Sequence, residues 1–441
     1  MTTVKKNLLL ISPFLILCQF NPLFAQQKKR CGTMEYMERM KMEDPTFLKR
    51  MQQNEELIQR LVAQQQNVSA ANTVITVPVV FHIMYQNAAQ NISQDRILDQ
   101  VAVLNKDYAR LNADTNNTPL AFRSVSANTN IRFCLAQRDP NGNPTNGIVR
   151  KLVTIPKYRG FDPVRNDSIK FTSLGGDDAW SRSKYLNVWV SKFGGSSSNI
   201  LGISQLPGGV PADSATDGCC VLYTAVGGNT FPGTEIGPGY NYSLGRTLTH
   251  EVGHWFGLYH VWGNDAGGCS SSDLVNDTPN QWRENYGCPT FPHTDACTFA
   301  SPGVMFMNYL DYVDDNCMNM FTAGQSVRMN SFLNGFRSGV LNSNGCVAVI
   351  GIDEMNSFVT GFSVFPNPAQ GIVTVIGRLN KKADVIVTIT DVIGKIIFSK
   401  NLNLTSDIHL PIDLSENAEG IYNLSLRTTN GIINKKIILI Q

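Results

Sequence analysis

At 441 residues with a formal net charge of +2, the chain is long enough for two or three domains and carries no basic excess that would draw it to nucleic acid. Only 16% of its residues are charged, well under the share of about 25% usual for soluble proteins, while Asn, Thr, Ser and Gly are plentiful. That is the composition of a secreted or surface protein and argues against a cytosolic one.

The first 25 residues read as a signal peptide. Lys5 and Lys6 form its charged region, Leu8 to Leu17 its apolar stretch, and Leu23-Phe24-Ala25 a cleavage site before Gln26. The stretch is too short to be a good membrane span, and the rest of the sequence offers no other transmembrane segment. Cys18 lacks the small residues expected before a lipoprotein cysteine. Its removal leaves nine of the ten cysteines, an odd number in a disulfide-permissive compartment, so one is expected to be free or otherwise employed. Residues 26–68 are rich in Met, Glu, Lys, Arg and Gln, and from Met34 to Gln66 the pattern predicts one or two exposed helices with little core of their own.

The composition changes at Val74. Val74-Ile75-Thr76-Val77-Pro78-Val79-Val80-Phe81-His82-Ile83 predicts a strand, and Ile92 leads into an amphipathic helix on which Ile97, Val101, Leu104 and Tyr108 recur at near-helical spacing. Ile131–Leu135 and Leu186–Val190 are further strands. The expected fold class is α+β: a mixed sheet flanked by helices, with an active-site helix beneath it.

That helix carries the most informative residues of the chain, His250-Glu251-Val252-Gly253-His254-Trp255-Phe256-Gly257-Leu258-Tyr259-His260. They spell H-E-x-x-H-x-x-G-x-x-H, the extended zinc signature of the metzincin peptidases. Positions i and i+4 share one helix face, so His250 and His254 can reach one metal together. Gly257 lets the chain leave the helix through a positive-φ turn, which brings His260 back as a third ligand. Three imidazoles leave a fourth zinc position open to water, as catalytic sites do. Glu251 projects beside them, where a carboxylate can hold that water and take its proton. These residues imply a zinc hydrolase.

Downstream, Cys269, Cys288, Cys297 and Cys317 lie close together in sequence. Cys219 and Cys220 are neighbours unlikely to bond each other, and Cys134 and Cys346 stand alone. After Cys346 the style changes again: Phe362–Phe365, Ile372–Ile376, Val385–Thr390, Lys395–Ser399, Ile421–Arg427 and Ile432–Ile440 are short β-rich runs punctuated by Gly, Asn and Asp. Six or seven short strands there predict an all-β, immunoglobulin-like sandwich over residues 362–441, with residues 347–361 as linker.

From Val77 to Cys346 the chain resembles the pappalysin family of metzincins. The matching residues are Pro78-Val79-Val80-Phe81-His82, Val103-Leu104-Asn105-Lys106-Asp107-Tyr108, Arg246-Thr247-Leu248-Thr249 before the zinc motif, Asp277-Thr278-Pro279 after it, and Cys317-Met318 with Phe321-Thr322 and Gln325. The resemblance implies a peptidase with a deep cleft and autolytic maturation, which makes residues 26–68 a pro-segment and 69–346 the catalytic domain. It also implies a preference for Arg or Lys just after the cut bond, with Asp314 and Asp315 as candidates for the S1′ carboxylate. Disulfides Cys269–Cys297 and Cys288–Cys317 carry over, and closing such loops contributes about 2–4 kcal/mol. Asp273, the Val275 carbonyl and Thr278 match a calcium loop, in which oxygen ligands suit a hard cation. Cys31, in Arg30-Cys31-Gly32-Thr33, resembles the family's latency cysteine, whose thiolate can fill the open zinc position. Metzincins carry a methionine under the zinc. Met307-Asn308-Tyr309 offers one register, but Asn308-Tyr309-Leu310-Asp311-Tyr312 keeps the family's distance to Cys317. In that register Leu310 replaces the methionine, and Tyr312 is the residue that turns toward the tetrahedral intermediate.

The tail resembles a type IX secretion sorting domain in Val364-Phe365-Pro366-Asn367-Pro368-Ala369 with Gly371, Asp391-Val392-Ile393-Gly394-Lys395, Gly420-Ile421-Tyr422 and Lys436-Ile437-Ile438-Leu439-Ile440. That implies export through the periplasm and outer membrane by the type IX machinery. The expected protein is a secreted, monomeric zinc endopeptidase acting on proteins or peptides, with calcium as a second ion. The alternative is a surface adhesin on a peptidase scaffold, for which an intact Glu251 would have no use.

Overall fold

A computed structural model describes residues 28–66, 73–154, 167–208, 215–237, 239–263, 267–348, 359–392, 394–428 and 431–440. The expected signal peptide (1–25) and most of the expected linker fall outside these. The chain divides into two compact units, Met1–Ala348 and Val349–Gln441.

In chain order the first unit has β1 (Lys29–Cys31), α1 (Thr33–Glu43), α2 (Phe47–Gln66), β2 (Ile75–Tyr85), α3 (Gln94–Ala109), α4 (Leu120–Arg123), β3 (Ile131–Leu135), β4 (Ile148–Leu152), β5 (Leu186–Ser191), β6 (Ile200–Ser204), β7 (Cys219–Leu222), β8 (Ile236–Gly237), β9 (Tyr240–Asn241), α5 (Arg246–Trp255), α6 (Ala323–Asn334) and α7 (Ser338–Leu341). Its main sheet runs β1-β6-β7-β5-β2-β3, with β4 also on β2. β5, β7, β2, β3 and β4 are mutually parallel, whereas β6 runs antiparallel to β7, so the sheet is mixed. β2 is buried at almost every position, as a central strand covered on both faces must be. On α3 the side chain of Ser93 caps the first turn by accepting from the Arg96 amide at 3.2 Å, and Ile97, Val101, Leu104 and Tyr108 face the core.

The segment ahead of β2 forms the two mostly exposed helices expected of it, and adds a strand and a few docked side chains. β1 adds to β6 in parallel and covers an edge that would otherwise offer unpaired backbone groups. α1 and α2 bury Tyr36, Phe47 and Ile58 to 3%, 2% and 0% exposure. Neither helix has a core of its own, so its apolar face is satisfied by docking.

Disulfides join Cys269 to Cys297, Cys288 to Cys317, and Cys134 to Cys346. The last pairs the two cysteines that looked isolated in sequence; it fastens the end of β3 to the end of the unit, 212 residues on. Among the described residues Cys31, Cys219 and Cys220 are buried and unpaired, three free thiols instead of the one expected. Adjacent residues of a strand point to opposite faces, which keeps the two β7 thiols apart.

The second unit contains β10 (Val359–Phe365), β11 (Ile372–Thr390), β12 (Ile396–Asp413), β13 (Gly420–Thr428) and β14 (Gly431–Leu439), all antiparallel. The runs Ile372–Ile376 and Val385–Thr390 are two ends of one 19-residue strand. Register breaks between Arg378 and Val385 divide β11: its first half pairs with β10 and the end of β12, its second with β13 and the start of β12. A bulged strand bends, so long strands can close one core where short separate ones were expected. Val373, Val375, Val387, Ile389, Leu424 and Ile437 fill that core.

Candidate active site

Every residue of α5 is buried, so its polar side chains need partners. Arg246 pairs with Asp114 at 2.6 Å and Asp107 at 3.5 Å. Asp107 also accepts from Thr249 Oγ1 at 2.9 Å and the Tyr309 hydroxyl at 2.9 Å. Asp315 Oδ2 accepts from the amides of Leu244 and Arg246, which sets a negative charge at the helix N-terminus. At the other end Arg328 Nε donates to the Gly257 carbonyl and Arg337 Nε to the Trp255 carbonyl, both at 2.9 Å. The helix is held at both ends by charges from distant parts of the chain.

Three imidazoles converge at the C-terminal side of this helix. His254 Nε2 lies 3.1 Å from His250 Nε2 and 3.1 Å from His260 Nε2. His250 Nδ1 is 2.7 Å from the Tyr309 carbonyl and His254 Nδ1 is 2.7 Å from the Leu258 carbonyl. A carbonyl only accepts, so each Nδ1 carries the proton and each Nε2 presents a lone pair. His260 is oriented by stacking on Trp262 at 4.4 Å. Burial holds all three rings well below the usual histidine range, His254 at about 4, so they are neutral. The facing lone pairs of His250 and His254, with no proton between them, call for a cation, and His260, whose Nδ1 has no hydrogen-bond partner among the described residues, directs its Nε2 at the same point. The spacing is close to the edge of about 3.3 Å that Zn–N bonds of about 2.0–2.1 Å set in a tetrahedron. The Cys31 sulfur completes the group: one ligand atom from each of the four residues lies within 4.8 Å of all the others.

Glu251 stands beside this cluster, fully buried and pushed up to about 8 by burial. Its Oε2 is 3.6 Å from Cys31 Sγ and 3.3 Å from Thr33 Oγ1, while Oε1 has no hydrogen-bond partner among the described residues. Gly202 on β6 makes room for it, since a Cβ there would lie 2.6 Å from Glu251 Oε1. The Tyr312 ring is 5.7 Å from His250 and 5.1 Å from His260, and its hydroxyl donates to the Cys31 carbonyl at 3.1 Å. Burial and the carboxylate of Glu251 push the Cys31 thiol up. Only a cation at the cluster would make its thiolate the favoured form.

Under the helix, a Cβ on Gly253 would lie 3.1 Å from Leu310 Cδ2, so Leu310 forms the floor there. Asp311, pushed up to about 7 by burial, accepts from Gln281, Asn285 and the Tyr312 amide. Of the two aspartates considered for the S1′ pocket, Asp315 makes the contact. Its Oδ1 accepts from Arg30 Nη2 at 2.8 Å, both side chains are wholly buried, and the guanidinium lies 4.6 Å from the Tyr242 ring centroid. Asp314 lies alongside and sits 2.9 Å from the Gly287 carbonyl through its own amide.

Thr278 Oγ1 lies 2.8 Å from both carboxylate oxygens of Asp273 and 2.8 Å from the Val275 carbonyl, so the three suggested calcium ligands meet at one point. Asp273 is pushed up to about 7 by burial. Asp277 is occupied elsewhere, accepting from Thr322 Oγ1 and the Gly324 amide at the start of α6.

Arg30, Thr33, Asp107, Arg246, Arg328 and Arg337 were not singled out from sequence as parts of the site. A buried arginine leaves no local signal when its partner is distant. Gly257 does: its φ is +85°, and a Cβ there would sit 2.0 Å from the Phe332 ring. Gly257→Ala combines αL strain with overpacking and should cost about 2–5 kcal/mol. Denaturant unfolding in a Glu251→Gln background, which prevents self-digestion, measures it; an unchanged midpoint would contradict the close contact.

Residues 176–334 match the family model described as Pregnancy-associated plasma protein-A, and residues 363–441 match the one described as Secretion system C-terminal sorting domain. An extracellular metalloprotease of Neurospora crassa is 32% identical over 299 residues, covering 65% of this chain and 85% of that protein. Promirolysin of Tannerella forsythia, solved as a point mutant, is 43% identical with a TM-score of 0.63, over 71% of this chain and 97% of that one. Mature mirolysin of the same organism in complex with a cleaved peptide is 47% identical with a TM-score of 0.56, over 61% of this chain and 96% of that one.

Proposed function

The chain belongs to the pregnancy-associated plasma protein-A (pappalysin) family of metallopeptidases, exported with a type IX secretion sorting tail, and from that premise we propose a zinc endopeptidase that is made latent and cuts before basic residues. The observation that carries this reading is the meeting of three imidazole ε-nitrogens beside the unpartnered oxygen of Glu251.

His250, His254 and His260 would hold the zinc. Zinc bound there supplies Lewis acidity, which polarises a carbonyl and brings water within reach of deprotonation near neutral pH. Glu251 then receives the proton of the attacking water and returns it to the leaving amine. The Tyr312 hydroxyl donates to the oxygen that becomes anionic, as it donates to the Cys31 carbonyl in the precursor. All these residues belong to one chain, so the reading requires no partner subunit.

Arg30 and Cys31 support both latency and specificity. Arg30 fills the Asp315 pocket as the basic residue of a substrate would, with a guanidinium held by charge and an aromatic face. In a substrate cut before that residue, the group at the metal is the carbonyl on its N-terminal side. In the precursor it is Cys31, on its C-terminal side. With the same pocket filled, a substrate therefore runs opposite to β1, antiparallel to β6, and the pro-segment brings a thiol to the metal where a substrate brings a carbonyl. Cys31→Ala should give a precursor that matures early or is active before processing. It would be expressed beside a Glu251→Gln form to separate latency from self-cutting; a variant that stays fully latent would refute the cap. The bonds before Arg50 and Arg60 are candidate maturation cuts. Both lie within α2, which must unwind before either bond can lie extended in the cleft.

We read residues 26–68 as pro-segment, 69–346 as catalytic domain and 362–441 as sorting domain, with calcium held by Asp273, the Val275 carbonyl and Thr278. Casein hydrolysis by the mature enzyme that is abolished by a chelator and restored by zinc tests the central reading. Turnover that persists after complete metal removal would end it.

A further inference from the structure

Beyond Cys31 the pro-segment makes a second buried attachment, in a pocket that the reaction described above does not use. Tyr36 is 3% exposed. Its hydroxyl donates to Asp167 Oδ2 at 2.9 Å and accepts from Gln205 Nε2. The ammonium of Lys170 lies 5.5 Å from the centroid of the Tyr36 ring and 5.5 Å from that of Trp189. Lys170 is anchored in turn by Asp167 at 3.3 Å and the Thr216 carbonyl at 2.7 Å. The pocket thus offers an acceptor and a donor for one hydroxyl and a cation over the attached ring. These are the complements of a phenol.

The walls of this pocket, Asp167, Lys170, Trp189 and Gln205, all lie in the part of the chain that remains after maturation. When the pro-segment leaves, Asp167 loses the Tyr36 hydroxyl and the Arg39 guanidinium, which lies 3.5 Å from it and 4.7 Å from the Tyr36 ring centroid, and keeps Lys170; Gln205 Nε2 loses Tyr36 and keeps Thr216 Oγ1 at 2.8 Å. Gln205 Oε1 has no hydrogen-bond partner among the described residues even with Tyr36 in place. Polar groups shaped for a phenol and then left without one would favour its replacement.

The position of the pocket along the cleft follows from β6. Cys31 lies opposite Gly202. Gln205 is three residues further along, about 10 Å in an extended strand. Arg30 and its Asp315 pocket lie toward the other end. A substrate running antiparallel to β6 carries the residues upstream of its cut toward Gln205. An end-group pocket of this kind is indifferent to the direction of the chain that delivers the side chain.

We propose that the Asp167–Lys170–Gln205 pocket, filled by Tyr36 in the precursor, is a subsite of the mature enzyme for a substrate tyrosine three or four residues before the cut. The proposal rests on the peptidase reading with a basic residue after the cut, and it adds a second specificity determinant on the opposite side of the metal.

The test uses mature enzyme released from the full-length precursor and a series of fluorogenic peptides with one arginine after the scissile bond. Tyr, Phe or Ala is placed in turn at the third and fourth positions before the cut. Tyr should exceed both Phe and Ala in kcat/KM by about tenfold at one of these positions, the usual scale for one hydrogen-bonding group placed against buried partners. In Gln205→Leu and Lys170→Met enzymes the ratio of Tyr to Ala should fall toward one. Equal rates for Tyr, Phe and Ala in the parent enzyme overturn the proposal without any variant having to fold. A preference for Arg or Lys at these positions also overturns it, since Asp167 would then be receiving a cation. The all-alanine peptide reads the underlying function separately: if it is not cut before its arginine, the peptidase reading has failed and the subsite falls with it.

Discussion

Replacing Glu251 with Gln should lower peptide hydrolysis by about 10³-fold or more while the protein keeps its metal. Glutamine preserves the shape of the side chain but cannot take up a proton. General acid–base catalysis contributes about 10²–10⁴-fold, and Glu251 is assigned both the acceptance and the return of the proton. Metal retention follows because Glu251 is not among the ligands. The imidazoles are oriented by the Tyr309 and Leu258 carbonyls and the Trp262 ring. Metal analysis and a peptide assay on the same preparation check both halves. Near-parental turnover would sink the assigned mechanism, and loss of the metal would mean that the carboxylate belongs to the ligand set.

Asp315→Asn should cost about 10²–10³-fold in kcat/KM for peptides with Arg after the cut and much less for peptides with an apolar residue there. Asp315 is fully buried against Arg30 in the precursor. Removing one partner of a buried pair costs about 3–5 kcal/mol, because the other charge is left uncompensated. Asparagine can still turn an oxygen toward the Leu244 and Arg246 amides, which Asp315 Oδ2 now accepts. The α5 N-terminus and the metal content should therefore survive. In the same variant Arg30 loses its carboxylate and the pro-segment should release more readily. A library profile that keeps its arginine preference would reject Asp315 as the determinant, and the same substitution at Asp314 serves as the comparison.

The catalytic centre was legible because it is local. The spacing His250, His254, His260 encodes one helix face followed by a turn at Gly257, whose φ is +85°, and no distant residue is needed to bring the three together. Strand β2 and helix α3 were legible for the same reason, since a run of β-branched residues and a 3.6-residue apolar repeat are short-range patterns. Met34 to Gln66 was legible as two mostly exposed helices, whereas the burial of Tyr36, Phe47 and Ile58 was not, because it depends on the surface they meet. In the tail, composition located the β-rich runs, but not that two of them continue as one bent strand through a register break.

The sequence by itself determined the peptidase family, the three histidines and the glutamate proposed as metal ligands and general base, and the address carried by the C-terminal runs, since each is written within a few turns or strands of contiguous chain. Only the tertiary structure decided that Asp315 meets Arg30 across 285 residues, that Cys134 pairs with Cys346 across 212, and that Tyr36 sits on Asp167 across 131. It also decided that Arg328 and Arg337 hold the end of the metal-binding helix. A charge or thiol in a sequence states what it can bind. Which partner it meets is set by how the sheet and helices pack, because contacts at such separation carry no periodicity for a local pattern to display.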